Sequence, residues 1–242
     1  MYRRSPSAAK LMDDLDLKKW LPKWLKQPVK KTLLRRQLRA AIREIGNLAD
    51  GQIPSGELLS ELITGWSNEG YVANLEYLEE VAKRSIKTRG PVLECGSGVT
   101  TILLGVLCAR RKIEVWSLEH YPAWQKRVTE SLERNRISGV QVCSSPLVEY
   151  GEFVWYDPPL AKMPNEFSLV VCDGPPGTTK GGRYGLLPVM GARLPPGSTI
   201  LLDDAARPGE MELIRRWENE VALDTKIIES QGHAFAVMSR LS

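Results

Sequence analysis

Short apolar segments alternate with amphipathic segments of helical periodicity from Pro91 to the end of the chain. Five of the apolar segments are predicted strands that precede helices or loops: 91–95, 113–119, 140–145, 167–173 and 198–204. Strands that alternate with helices predict a parallel sheet with right-handed crossovers. Only two residues separate the final strands, 224–230 and 233–239, so we expect a hairpin there. The prediction is a doubly wound α/β fold whose mostly parallel, seven-stranded sheet has an antiparallel last strand.

The N-terminal part of the chain differs in charge from the rest. Residues 1–45 hold 13 Lys and Arg against 4 Asp and Glu, whereas the remaining residues hold 20 against 25. The extension is therefore basic (+9) and the rest is mildly acidic (−5). Pro22 and Pro28 interrupt the basic segment, and helical spacing follows Pro28. We expect a partly helical extension over 1–56 and a main domain over 57–242, with helices within 57–90.

Composition narrows the classes of protein that the chain can represent. A length of 242 residues with 43% hydrophobic and 26% charged residues is typical of a globular protein. The four cysteines form no C-x-x-C pair, which favours buried, reduced thiols over a metal site or a disulfide framework. No apolar run is long enough to span a bilayer, and no secretory signal is recognisable at Met1. We therefore predict a cytoplasmic location.

The first predicted strand leads into the sequence ECGSGVTT at 94–101. Gly96 and Gly98 allow a tight turn and a close approach to a ligand, and the next helix offers free N–H groups. Glu119 ends the second strand, where a carboxylate can accept both hydroxyls of a ribose. This combination predicts a cofactor that contains adenosine.

Two residues decide between the adenosine cofactors. A dinucleotide fingerprint would have glycine where Thr101 stands, and a pyrophosphate disfavours an acid at Glu94. An acid there suits a ligand that carries an ammonium and a sulfonium. The sequence VLECGSGVTT resembles the first motif of class I S-adenosylmethionine-dependent methyltransferases, with Thr100 at a position that is often glycine. Over residues 91–242 the order of strands is also similar to that family, and the chain resembles bacterial methyltransferases of unassigned acceptor.

The resemblance implies roles for individual residues. Glu119 would bind the ribose of S-adenosylmethionine, with His120 beside the adenine and Ser145 at the adenine edge. Asp173 would stand at the mouth of the acceptor pocket, where either Asp173 or His120 would act as the base. The residues implied to flank the methionine part are Glu94, Gly96, Ser97 and Gly98.

The loop after the fourth main strand bears on the acceptor. Amine methyltransferases often carry [DN]-P-P-[YFW] there, but this loop begins Asp173-Gly174-Pro175-Pro176. The similar run Asp157-Pro158-Pro159-Leu160 precedes that strand and lacks the aromatic residue. We therefore predict methylation of an oxygen. Lys180, Arg183 and Tyr184 of the same loop are candidates to meet an anionic or aromatic acceptor, or lie on a solvated loop.

A metal site is a further prediction at this edge of the sheet. Methyltransferases of the catechol type hold Mg²⁺ with acids at two such places, which correspond here to Asp173 and Asp204. Two carboxylates can suffice for Mg²⁺, which keeps several waters. The alternative is that Asp203 or Asp204 caps a loop or helix and that Asp173 binds only the cofactor. His233 is predicted to be structural.

The sequence WSNEGY at 66–71 stands between two predicted helices. In methyltransferases the element before the first strand often folds over the cofactor, so Trp66 and Asn68 are candidate cofactor contacts. The alternative is that Trp66 packs in the core and Asn68 caps the next helix.

Several functions remain open at this point. The first is a methyltransferase that acts on oxygen of a small molecule, and the second is a methyltransferase of RNA, protein or a membrane-associated substrate. The third is a binding protein without catalysis, and a nicotinamide oxidoreductase is a distant fourth. The basic extension, with Trp20 and Trp24 among lysines, is expected to pack on its own domain or form a homodimer, or to touch a membrane surface or nucleic acid.

Overall fold

The computed structural model describes residues 22–67, 74–230 and 232–242. The strands are β1 (Val92–Cys95), β2 (Val115–Glu119), β3 (Val140–Ser144), β4 (Leu147–Glu149), β5 (Val154–Tyr156), β6 (Leu169–Cys172), β7 (Thr199–Leu202), β8 (Leu223–Ser230) and β9 (His233–Arg240). The helices are α1 (Lys23–Asn47), α2 (Gly56–Trp66), α3 (Leu75–Ser85), α4 (Val99–Ala109), α5 (Pro122–Asn135), α6 (Leu186–Met190) and α7 (Pro208–Glu220), and a 3₁₀ turn covers Gly191–Arg193.

Seven strands form one sheet in the order β3-β2-β1-β6-β7-β9-β8. The contacts among β3, β2, β1, β6 and β7 are parallel, whereas β9 is antiparallel to both of its neighbours, β7 and β8. This arrangement confirms the predicted mixed sheet with its antiparallel last strand. A separate antiparallel pair, β4 and β5, lies between β3 and β6 in the chain.

Both faces of the sheet are covered, as a doubly wound fold requires. Alternate residues of the buried strands point to opposite sides. Leu93 joins a core with residues of α6 and α7, whereas Val92 joins a core with residues of α1 to α5. The basic helix α1 contributes Leu38, Ile42 and Ile45 to the latter core, so its apolar face is buried inside the fold. No helix among the described residues is long and apolar enough to cross a bilayer.

Two elements differ from the sequence-based expectation. The prediction that Pro28 interrupts the basic segment was wrong, because α1 runs from Lys23 through Pro28 to Asn47. A proline near the beginning of a helix removes only one internal hydrogen bond, and the buried face downstream stabilises the helix. The helix expected near 184–193 is only the short α6 with its 3₁₀ turn, because the chain there contains Pro188 and Gly191.

The four cysteines are free thiols, and Cys95, Cys108 and Cys172 are buried, in agreement with the sequence.

The carboxyl ends of β1, β2, β3, β6 and β7 lie at one edge of the sheet, because these strands are parallel. Ligands of doubly wound folds bind outside that edge. The residues that follow these strands therefore form the candidate site.

Candidate functional site

The turn after β1 packs directly on the loop after β6. Gly96 has φ +89°, and a Cβ added there would lie 3.1 Å from the N of Gly174 and 3.2 Å from its Cα. The N–H of Asp173 also donates to the carbonyl of Cys95 over 3.0 Å. Only glycine combines this backbone conformation with so close an approach. The structure thus brings the predicted glycine turn and Asp173 together.

Glu94 is fully buried beneath the turn. Its carboxylate accepts hydrogen bonds from the hydroxyls of Thr100 (2.5 Å), Thr101 (2.6 Å) and Ser117 (2.5 Å). Burial raises the pKa of Glu94 to about 7, although these three hydrogen bonds lower it. Glu94 therefore braces the glycine turn from within. Its contact with the methionine part of a cofactor stays a prediction.

Thr101, at the start of α4, stands where a dinucleotide fingerprint would have its third glycine, and its contacts show what the hydroxyl contributes there. The Thr101 hydroxyl donates to Glu94 and accepts from the N–H of Gly98 over 2.8 Å. Glycine at that position would leave both a buried carboxylate oxygen and a backbone N–H with one partner fewer. Thr101 thus lacks the close helix–strand packing that glycine allows and instead makes two hydrogen bonds.

Glu119, at the end of β2, contacts the same turn. Its Oε2 accepts from the N–H (3.1 Å) and the hydroxyl (2.8 Å) of Ser97, and its Oε1 accepts from the N–H of Tyr121 over 2.8 Å. A buried carboxylate with three donors is held in one orientation. Glu119 and the glycine turn therefore form one rigid unit at the ends of β1 and β2.

Ser145 and His120 lie next to this unit. The N–H of Ser145 donates to the carbonyl of Glu119 over 2.8 Å, which fixes the residue beside β2. The Ser145 hydroxyl is fully buried and has no hydrogen-bond partner in the described part of the chain. Nδ1 of His120 lies 3.3 Å from Oε1 of Glu119. A buried hydroxyl without a partner is costly, so this position suits a ligand that would complete it.

Asp173 lies at the carboxyl end of β6 and pairs with Arg183. Nη2 of Arg183 is 3.0 Å from Oδ1 of Asp173, and the same nitrogen donates to the Asp173 carbonyl over 2.8 Å. The Asp173 side chain is 49% exposed whereas that of Arg183 is 2% exposed, so the carboxylate of the pair is accessible to solvent and the guanidinium is buried. Partial desolvation of the half-exposed Asp173 carboxylate and the nearby carboxylate of Asp203 raise the pKa of Asp173, whereas Arg183 lowers it.

Trp66 ends α2 and is buried against α5. The Arg127 guanidinium lies 4.6 Å from the ring centroids of both Trp66 and Trp124, and it donates to the carbonyls of Trp66 (2.7 Å) and Ser67 (2.9 Å). Trp124 in turn donates from Nε1 to the carbonyl of Ser97 over 2.5 Å. The end of α2 is thereby tied to the glycine turn. Asn68 lies outside the described residues.

None of the known family models matches the chain, and no curated protein does either. Among solved structures, the C-terminal domain of precorrin-6Y C5,15-methyltransferase from Rhodobacter capsulatus superimposes with a TM-score of 0.54 and 11% identity, over 79% of this chain and 98% of that one. A methyltransferase from Podospora anserina bound to S-adenosylhomocysteine gives 0.53 and 14%, over 100% and 99%. The O-methyltransferase from Bacillus cereus gives 0.52 and 14%, over 95% and 97%.

The chain has the class I methyltransferase fold. All three proteins superimpose on this chain with TM-scores above 0.5 despite low identity, which confirms the fold that the sequence resemblance implied.

The acids that catechol-type members of this fold would use for Mg²⁺ have other partners here. Nη2 of Arg183 lies 3.0 Å from carboxylate oxygens of both Asp173 and Asp204, and Asp204 also pairs with Arg207 over 2.8 Å. Mg²⁺ needs carboxylate oxygens at about 2.1 Å in octahedral geometry. The position between the two acids is filled by a guanidinium, so these residues do not fit the metal.

A second group of potential ligands consists of Asp203, Asp204 and His233, whose ligand atoms lie within 4.8 Å of one another. Oδ1 of Asp203 is already hydrogen-bonded to Nε2 of His233 over 2.7 Å, and Oδ2 of Asp204 is paired with two arginines. We therefore assign no metal to this group either. His233 thus has a hydrogen-bond partner within the protein, and its structural role stays a prediction.

The side chains of the loop after β6 make other contacts than the predicted ones. Tyr184 is buried, donates its hydroxyl to Glu220 over 2.7 Å and packs under Arg216, and Lys180 donates to the carbonyl of Gly151 over 2.7 Å. Arg183 and Tyr184 thus point into the protein, so the suggestion that they meet an acceptor was wrong.

Sequence reasoning also missed Trp124 and Arg127 as supports of the site. The only signal for them was an aromatic and a basic residue three positions apart at the start of α5, a spacing that puts them on one helix face.

Proposed function

We propose that this protein is an S-adenosylmethionine-dependent methyltransferase that acts on an oxygen of a small molecule. The observation that carries the proposal is the pair of hydrogen bonds from Ser97 to Glu119, which join the Gly96–Gly98 turn to the end of β2 at the edge where this fold binds ligands. Asp173 lies against the same turn. Two of the three proteins superimposed above were solved with S-adenosylhomocysteine.

The described residues fit the adenosyl group. Glu119 is buried, oriented and ends β2, where it would accept hydrogen bonds from the ribose. The unpartnered Ser145 hydroxyl and the His120 ring would lie along the adenine. Trp66, Ser97 and Gly98 would support the rest of the ligand, with Asn68 in the adjoining segment. When bound, S-adenosylmethionine supplies an electrophilic methyl group to the acceptor.

The acceptor oxygen must lose its proton, and we assign that step to Asp173. Its carboxylate is half exposed, faces the ligand edge and is held in place by Arg183. Partial desolvation at the strand ends and the neighbouring Asp203 raise its pKa, which makes it a better base at neutral pH than an ordinary aspartate. His120 is the alternative base, but it follows β2, which β1 separates from β6.

Oxygen is favoured over nitrogen by the loop after β6. That loop carries no [DN]-P-P-[YFW] signature, and Asp157-Pro158-Pro159-Leu160 follows β5 in the separate two-stranded sheet. The protein from Bacillus cereus, which spans nearly the same length, is named as an O-methyltransferase.

A macromolecular acceptor is the second candidate. Lys31, Arg35, Arg39 and Arg43 are exposed and recur every four residues along α1, which gives this helix a basic face. The apolar face of α1 is buried, which favours nucleic acid over a membrane as a polyanionic partner. RNA binding that weakens steeply with salt would support this candidate. The cytoplasmic location and a homodimer stay predictions.

Ligand-dependent thermal unfolding tests the proposed function. S-adenosylmethionine and S-adenosylhomocysteine at a hundred times their Kd should add about 2.7 kcal/mol, or roughly 5–10 °C in Tm, whereas NAD should add nothing. Glu119→Ala should abolish the shift. Glu114→Gln is the matched control, because Glu114 is an acid at the opposite end of β2 whose carboxylate accepts a hydrogen bond from Trp116.

The outcomes are distinct. A shift with both adenosyl compounds that Glu119→Ala removes and Glu114→Gln keeps would support the cofactor. No shift with either compound would overturn the proposal and leave a binding protein on this fold. A shift with NAD would instead favour an oxidoreductase.

A further inference from the structure

The acids at the ends of β6 and β7 surround one buried guanidinium. Arg183 donates from Nη1 to the Asp203 carbonyl over 2.5 Å, and from Nη2 to Asp173 and Asp204, each over 3.0 Å. Glu210 lies 3.8 Å from Nη1. Arg183 therefore binds the backbone at the end of β7 and the carboxylates that follow β6 and β7.

Arg183 keeps its positive charge in the folded protein. Burial lowers the pKa of Arg183, but the surrounding acids outweigh it, Asp173 foremost, and the net effect raises the pKa. With a side chain that is only 2% exposed, Arg183 cannot leave without exposing three carboxylates to one another. The guanidinium is thus a permanent part of the site.

We infer that Arg183 takes the place of a divalent cation in this protein, so that the site binds no metal and the methyl transfer requires none. The part that concerns the reaction rests on the proposed function, whereas the absence of metal binding can be tested by itself. Arg183 is a positioning residue: both Nη groups donate to protein oxygens, whereas its buried Nε has no partner among the described residues. It acts by orienting the Asp173 carboxylate and balancing its charge.

The arrangement differs from a simple structural ion pair in one testable respect. If Arg183 occupies the place of a cation, its removal should leave a cluster of acids that can bind one. Arg183→Gln keeps a planar polar side chain but removes the charge, so Asp173, Asp204 and Glu210 would lose the cation that they share, and only Asp204 would keep another arginine partner, Arg207. Mg²⁺ and Mn²⁺ prefer such oxygen ligands.

The test compares thermal unfolding in EDTA, Mg²⁺ and Mn²⁺ at matched ionic strength. Wild-type Tm should be the same in all three. Arg183→Gln should have a lower Tm in EDTA and recover part of the loss in millimolar Mn²⁺ or Mg²⁺, in a saturable manner. Arg183→Gln/Asp204→Asn, which lacks one ligand, should not recover. Arg215→Gln is the matched control, because it removes the same charge from an exposed pair with Glu212.

A direct titration of wild-type protein with Mn²⁺, followed by electron paramagnetic resonance, decides the matter even where Arg183→Gln does not fold. No saturable binding up to millimolar Mn²⁺ is the expected result. Saturable binding that Asp204→Asn removes would overturn the inference. A folded Arg183→Gln variant whose Tm rises with neither Mg²⁺ nor Mn²⁺ would overturn it as well. S-adenosylhomocysteine binding measured on the same samples separates this inference from the proposed function, because either can fail alone.

Discussion

Ser97 donates two hydrogen bonds to one oxygen of Glu119, from its N–H over 3.1 Å and from its hydroxyl over 2.8 Å. This contact joins the turn after β1 to the end of β2. A hydrogen bond to a buried charged group contributes about 1.5–3 kcal/mol. We expect Ser97→Ala to lower the free energy of unfolding by that amount. Urea unfolding of Ser97→Ala, Glu119→Gln and the double variant should give a coupling energy of at least about 1 kcal/mol. Strict additivity would contradict a direct contact.

Glu94 should make stability depend on pH. Its pKa is raised from 4.5 to about 7 in the folded protein by burial, so the folded state binds the proton more tightly than the unfolded state. That contribution is fully present below about pH 4.5 and is lost as pH rises through 7, for a total of about 3 kcal/mol. Glu94→Gln cannot titrate. The difference in unfolding free energy between wild type and variant should therefore slope between pH 5 and 7, and parallel curves would refute this account.

The two threonines of the turn should differ in their contributions. Thr100 makes one hydrogen bond to Glu94, whereas Thr101 makes one to Glu94 and accepts another from the Gly98 N–H. Valine has nearly the shape of threonine without the hydroxyl, so Thr100→Val serves as the control for Thr101→Val. We expect both variants to be destabilised, and Thr101→Val by about 1 kcal/mol more, since it also leaves the Gly98 N–H without its partner. Equal losses in chemical denaturation would argue against the double role of Thr101.

The sequence predicted the sheet well because the central parallel strands are short and mostly apolar, and because glycines mark the turn after β1. It predicted that Asp173 lies at the ligand edge because position at the end of a strand is a local property. The partner of Asp173 was not predictable in the same way. Arg183 is ten residues away in a glycine-rich loop that looks solvated, and only the folded chain shows that its side chain turns inward to the acids.

The same limit applies to the metal prediction. Asp173 and Asp204 have the residue type and strand position of metal ligands, and both come together as predicted. What the sequence lacks is any sign that a cation of the protein itself reaches the point between them. Spacing identifies groups that can meet, but the occupant of the space between them is a tertiary property.

Arg127 should be sensitive to the shape of its side chain rather than to its charge alone. Its guanidinium lies over both Trp66 and Trp124 and donates to two carbonyls at the end of α2. Lysine keeps the charge but cannot stack as a plane or donate in a fork. We expect Arg127→Lys to lose about 1–2 kcal/mol, nearly as much as Arg127→Ala. Tryptophan fluorescence and urea unfolding would measure this, and full rescue by lysine would reduce the contact to a charge effect.

Ser145 should have opposite effects on stability and on ligand binding. Its buried hydroxyl has no partner among the described residues, so Ser145→Ala should leave the stability of the free protein unchanged or raise it. If that hydroxyl completes the adenine site, the same variant should bind S-adenosylhomocysteine about five- to tenfold more weakly, which corresponds to one hydrogen bond. Ser85→Ala is the control: Ser85 is equally buried but donates to the Ala82 carbonyl over 2.9 Å on α3, so its loss should lower stability and leave affinity unchanged. Calorimetric titration with thermal unfolding separates the two effects, and a Ser145→Ala variant that is destabilised but binds normally would assign the hydroxyl to the fold rather than to the ligand.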